Sequence, residues 1–157
     1  KSIGNYSFYG CTNLINILFE VESKLKIIGK YSFSYCINLT SIELSSQFKE
    51  ISSNLFEECS KLKSIIILSN ISNIYDFSFL NCSDLECIQY FGIDEPNVIQ
   101  NAFQGCTTLK YIYTNLTYSS ERFGTFEVRK TLDQSDMCSS KSHLKNGEIA
   151  CKNSTQN

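Results

Sequence analysis

The 157-residue chain predicts a β-rich solenoid: five repeats of 23–25 residues, with a parallel sheet on one face and short or helical turns on the other. Three observations predict it. Six apolar columns keep one register through five copies, seen in the second as Ile28, Phe33, Cys36, Leu39, Ile42 and Leu44. The column cysteines Cys11, Cys36, Cys59, Cys82 and Cys106 lie 25, 23, 23 and 24 residues apart. The closing Leu-x-x-Ile-x-apolar segment alternates as a pleated strand does.

The first copy supplies Ile3, Phe8, Cys11, Leu14, Ile17 and Phe19. The third supplies Ile51, Phe56, Cys59, Leu62, Ile65 and Ile67, and the fourth Ile74, Phe79, Cys82, Leu85, Ile88 and Tyr90. The fifth has Val98, Phe103, Cys106, Leu109 and Ile112, but ends on the polar Thr114. One copy cannot bury its own apolar face, so the copies must stack. Between copies, Leu25, Phe48 and Ile71 each stand three residues before the next anchor Ile. They predict a short extended segment on the opposite wall. Glu95-Pro96 breaks that pattern and predicts a bulging corner, because proline has no donor. The stretch from each anchor to its cysteine is too short for a standard helix and predicts one helical turn.

Three parts follow: a solenoid over 1–116, a C-terminal cap over 117–134 and a polar tail, expected to be poorly ordered, over 135–157. In the cap, Phe123, Phe126, Val128 and Leu132 are placed to cover the open end of the core. Because the first copy starts almost at Lys1, the chain reads as a piece of a longer array.

Composition narrows the function. Residues 1–115 hold 8 Lys/Arg against 11 Asp/Glu, and residues 116–157 hold 6 against 5. Neither balance suits nucleic acid or an anionic membrane. No apolar run approaches the roughly 18 residues of a membrane span. No cofactor motif is legible, and the seven glycines form no phosphate loop.

The cysteine column has none of the paired spacing of a zinc site and reads as small thiols filling a buried corner. Cys87 precedes an inward Ile, so alternation turns it outward as a plain exposed thiol. Cys138, His143 and Cys151 are one ligand short of a four-ligand zinc site. A Cys138–Cys151 disulfide, a metal site and no pairing at all stay open. His143 is the only histidine, so any triad would have to use it, and no catalytic residue is assigned. Six Asn-x-Ser/Thr sequons begin at Asn5, Asn38, Asn70, Asn81, Asn115 and Asn153. Asn38 and Asn81, beside the cysteine column, are expected to be poor glycan acceptors.

That leaves the outer sheet face. Its early positions are polar, but the later copies gather Ile66, Leu68, Phe91, Tyr111 and Tyr113. An apolar patch rich in tyrosine marks a contact surface, and these five are the candidate partner-binding residues. The competing expectation is that the tail folds over them.

The unit [IV]-x(4)-F-x-x-C-x-x-L-x-x-I-x-[LFIY] resembles the BspA-like leucine-rich repeat family of bacterial and protist surface proteins. The resemblance implies a curved solenoid and a protein-binding role, often adhesion to host or matrix proteins, with no shared catalytic residue. It favours a cell-surface or extracellular location, which the residues themselves do not distinguish from the cytoplasm. Leu55 before Phe56, where other copies have Ser or Ala, and Thr114 depart from the pattern. The alternative is a structural spacer within a longer array.

Overall fold

The computed structural model describes residues 1–20 and 23–131. Twelve strands follow in order: β1 (Ser2–Ile3), β2 (Asn16–Ile17), β3 (Ile27–Ile28), β4 (Ser41–Leu44), β5 (Glu50–Ile51), β6 (Ser64–Ile67), β7 (Asn73–Ile74), β8 (Cys87–Tyr90), β9 (Asn97–Val98), β10 (Tyr111–Thr114), β11 (Arg122–Phe123) and β12 (Phe126–Lys130). One wall is a seven-stranded sheet of order β11-β12-β10-β8-β6-β4-β2. All its neighbours are parallel except β11 and β12. The opposite wall is made of two short parallel sheets, β1-β3 and β5-β7-β9. These are the extended segments that Leu25, Phe48 and Ile71 announce.

The register is column on column. Ile42 pairs with Ile65, Ile65 with Ile88, Ile88 with Ile112 and Ile112 with Val128. Phe8, Phe33, Phe56, Phe79 and Phe103 stack in single file, with centroids 5.2, 5.8, 5.4 and 4.9 Å apart. Strand spacing in a sheet is about 4.8 Å. Rings in offset stacks tolerate that rise, so the file and both walls advance together. Phe56, Cys59, Leu62, Ile65 and Ile67 of the central copy are wholly buried. Leu55 is also buried and fills its small-residue place without breaking the file.

The expected helical turn does not form. Instead Tyr6, Tyr31, Asn54 and Phe77, each third after its anchor, are left-handed. So are Tyr35, Glu58 and Asn81, each seventh after it. Gly10 and Gly105 take that seventh place in the outer copies. A left-handed residue with a Cβ costs roughly 1–2 kcal/mol. Cross-turn backbone bonds offset this: Tyr35 N–H to Glu57 O, Glu58 N–H to Leu80 O and Asn81 N–H to Gln104 O, each 2.8 Å. Bonding therefore runs between turns as well as along one, where Cys59 N–H donates to Phe56 O, and the reversal lets Phe and Cys of the same turn both face inward.

The Glu95-Pro96 corner absorbs its extra residue without leaving the ladder. Asn97 N–H donates to Ser72 O at 2.9 Å and Ile99 N–H to Ile74 O at 3.0 Å. Glu95 turns outward, and its carboxylate accepts from Ser120 Oγ at 2.8 Å and Gly124 N–H at 3.1 Å. It thereby ties the β11–β12 hairpin to the fifth turn. Gly124 is required there twice over. Its φ is +60°, and a Cβ would meet the Val98 side chain at 2.9 Å. Phe126 lies edge-on to Phe103 at 5.3 Å, and Phe123 edge-on to Tyr90 at 5.1 Å. Leu132 falls outside the described residues.

Among the described residues Ser32, Ser34, Ser78 and Thr114 are polar and fully buried. Thr114 is fully buried, and its hydroxyl has no partner. Replacing Phe56 by Ala should cost about 3–5 kcal/mol, read as a lower urea midpoint. Thr114→Val should gain about 1–2 kcal/mol by removing an unsatisfied hydroxyl from the core, read as a higher midpoint with unchanged slope. A drop in stability would mean that the hydroxyl is satisfied.

Candidate functional site

The column thiols are structural. Cys36, Cys59, Cys82 and Cys106 each donate S–H to the Phe carbonyl of the preceding turn, at 3.2, 3.1, 3.0 and 3.1 Å. The same carbonyls accept the N–H of their own turn's cysteine. The thiol thus fills the second lone pair of a buried carbonyl. Burial pushes the Cys59 and Cys82 thiols well above their ordinary value of 9.0. They stay neutral, which removes the nucleophile and the metal ligand at once. Among the described residues no group of His, Cys, Asp and Glu could hold a metal. The Cys138–His143–Cys151 set lies outside them.

Cys87 corrects the sequence reading. It opens β8 on the outer face, as alternation requires, but it is buried and disulfide-bonded rather than exposed and plain. Its register mate Ser64 is half-buried. The sequence held no local signal for this, since the nearest cysteine, Cys82, belongs to the buried column and is free.

The outer face of the sheet is read off in rows. One row runs Asn16, Ser41, Ser64, Cys87 along β2, β4, β6 and β8. The next runs Glu43, Ile66, Gln89, Tyr113, Arg129 from β4 to β12. Ile66, Tyr111 and Tyr113 are half-buried on β6 and β10. Leu68 and Phe91 follow β6 and β8 and continue the ladder, their N–H groups donating to Leu44 O at 3.1 Å and Ile67 O at 2.9 Å. The five predicted residues therefore share one face across three neighbouring strands. Two further residues lie on this face: Gln89, an outward position of the fourth copy by alternation, and Arg129, which the repeat pattern did not place. Gln89 sits between Ile66 and Tyr113, and Arg129 places its guanidinium 3.6 Å from the Tyr111 ring centroid. Arg129 became legible only once β12 was seen to add a parallel rung beside β10. Before that, its position between Val128 and Lys130 carried no face. A cation over a tyrosine ring at an exposed site contributes roughly 0.5–1 kcal/mol.

A second aromatic group lies on the turn side of the first two copies. Tyr6 stacks on Tyr31 at 4.8 Å, and Tyr9 meets Tyr35 at 5.5 Å. Tyr6, Tyr9 and Tyr35 are exposed. At the first turn, Ile3, Phe8, Leu14, Phe19 and Phe33 line an apolar recess of about 130 Å³. Three of the sequon asparagines brace neighbouring turns through their side-chain amides. The Asn38 amide donates to Thr12 O, that of Asn70 to the Asp94 carboxylate and that of Asn81 to the Glu58 carboxylate, at 2.8, 2.7 and 2.7 Å.

Among the described residues no helix is long and apolar enough to cross a membrane. A family model described as a BspA type leucine rich repeat region matches residues 1–110 in six copies, against the five full skeletons counted from the sequence. No curated protein matches the chain. A similar solved structure is a leucine rich cell surface protein from Faecalibacterium prausnitzii, at 30% identity and a TM-score of 0.60. The match covers 77% of this chain and 30% of that one, so the chain spans under a third of that protein's length.

The raised thiols set an alkaline limit. Above the ordinary value of 9.0 the unfolded thiol loses its proton while the folded one keeps it. The contribution of Cys59 is thus intact below pH 9 and falls as pH rises, by at most about 1.4 kcal/mol per pH unit. Urea midpoints measured from pH 8 to 10.5 should fall, and Cys59→Ala should show a shallower fall. Equal slopes would refute the role of this thiol.

Proposed function

The chain belongs to the BspA-type leucine-rich repeat family, and from that premise we propose that it is a protein-binding module acting in recognition or adhesion at a cell surface. The outer sheet face is the contact. The observation that carries this reading is the shared face of Ile66, Leu68, Phe91, Tyr111 and Tyr113, in register and bordered by Gln89 and Arg129. The cell-surface relative supports the location, and a disulfide at Cys87 suits an oxidising exterior. We read residues 117–131, the described part of the expected 117–134 cap, as closing the far end of the solenoid, for which the packing of Phe123 and Phe126 argues.

Size limits what this face does alone. Four strands about 4.8 Å apart and about five residues long cover roughly 300 Å². A standard interface buries about 800 Å² on each partner. The partner must also reach the earlier turns, or bind weakly. No catalytic role is proposed, and Cys36, Cys59 and Cys82 are sealed in the stack.

Immobilised protein should retain a partner from host extracellular matrix. Tyr113→Ala and Phe91→Ala should each weaken that retention about tenfold or more, as truncation of a central aromatic does, with the melting temperature unchanged. Retention equal to wild type in both variants would favour the spacer.

A further inference from the structure

We propose that Asn115 is an N-glycan acceptor, the one described sequon whose whole tripeptide is open to a glycosyl-transferring enzyme. The site stands whether or not the outer sheet face binds a partner.

One tripeptide occurs twice in the chain, in opposite surroundings. Asn-Leu-Thr stands at 38–40 and again at 115–117. In the first, Leu39 is a column residue and wholly buried. The Asn38 amide nitrogen donates to Thr12 O at 2.8 Å, and its oxygen accepts from Lys61 Nζ at 2.8 Å. Thr40 Oγ1 donates to Ile15 O at 3.1 Å. The second follows the end of β10 and forms an exposed turn, with Leu116 52% exposed. Thr117 Oγ1 donates to Asn115 Oδ1 at 2.8 Å, so amide and hydroxyl sit on one side of that turn. The Asn115 amide nitrogen donates to nothing among the described residues, and it reaches solvent.

The other described sequons are engaged by the fold. Ile71 and Cys82, the middle residues after Asn70 and Asn81, are buried. Asn70 Oδ1 accepts from Ile93 and Asp94 N–H, each at 3.0 Å, and Asn81 is left-handed. At Asn5 the oxygen accepts from Lys30 N–H at 2.9 Å, while Ser7 Oγ turns away to Gly4 O at 2.8 Å. Asn153 lies outside the described residues. An enzyme that glycosylates asparagine must hold the amide and the hydroxyl two residues on at once, which is why acceptors lie in surface loops. At Asn38 that would draw Leu39 out of the core. At Asn115 it breaks one exposed hydrogen bond.

The step balances with a lipid-pyrophosphate-linked oligosaccharide as donor. Asn115 Nδ2 attacks the anomeric carbon and a C–N bond forms. The C–O bond to pyrophosphate breaks, the lipid pyrophosphate leaves with the electron pair, and Nδ2 gives up one proton. The disulfide at Cys87 suits the same exported route. Thr114 pairs with Tyr90, so Asn115 stands beside Phe91, about 4.8 Å away along the sheet. Carbohydrate there borders the row of Leu68 and Phe91, and a partner of that face would meet sugar at its edge.

The test treats the folded full chain with an oligosaccharyltransferase and a lipid-pyrophosphate-linked oligosaccharide. Trypsin then places the two identical tripeptides on separate peptides, 31–49 and 111–122. Enzymatic release of the glycan leaves Asp at each modified Asn, and fragmentation mass spectrometry locates it. Occupancy at Asn115 should exceed that at Asn38 about tenfold or more, as the exposure of a buried leucine requires. With the two free peptides as acceptors the preference should vanish, because the tripeptide is the same. Thr117→Ser should keep the modification and Thr117→Ala abolish it, each with an unchanged urea midpoint. No transfer to Asn115 in the folded chain, equal transfer to Asn38, or a preference that persists in the free peptides would each overturn the proposal. No binding partner enters the measurement, so its failure and that of the binding reading are separate results.

Discussion

The stacking of one phenylalanine on the next is the constraint from which the rest of the structure follows. Rings 4.9 to 5.8 Å apart match the rise of a parallel sheet only if every turn advances by one rung on both walls. Repeats of unequal length must then hide their extra residues at the corners. The 24-residue step does so at 91–96, and the β7–β9 ladder is kept. The turn that carries each ring accepts left-handed backbone at Tyr31, Asn54 and Phe77, and bonds to the next turn as well as to itself. A helix there would satisfy its own hydrogen bonds and leave the neighbouring turn without any.

The same requirement explains the cysteines. A Phe carbonyl buried in the stack has a lone pair left after its own turn is closed, and a thiol from the next turn is small enough to reach it. Burial keeps that thiol neutral. The stack thus fixes the inward positions and leaves the outward ones unspecified. There the composition changes from Asn16, Ser41 and Ser64 in the early strands to tyrosines and Arg129 in the late ones. The protein could vary these residues without touching its core.

How far the candidate site was legible depended on this division. Ile66, Tyr111 and Tyr113 could be placed on one face because the strand period is two and the columns fix the phase. Arg129 could not be, because the Phe and Cys columns stop after the fifth copy while the sheet does not. β12 joins as a rung on the strength of Phe126 and Val128 alone. Tyr6, Tyr9, Tyr31 and Tyr35 were hidden for a related reason. The side-chain directions of Tyr6, Tyr31 and Tyr35 are set by left-handed backbone, which no apolar pattern reports.

The sequence alone determined that the chain is a stack, which residues face inward, and that the cysteine column is structural. Each of these follows from one spacing repeated against one strand period. The tertiary structure alone decided the left-handed turns in place of helical ones, the ladder kept through Pro96, the rung added by β12 and the bonded, buried state of Cys87. Those depend on which groups of separate turns come within reach of a hydrogen bond or a sulfur, a distance fixed by stacking and not by neighbourhood along the chain.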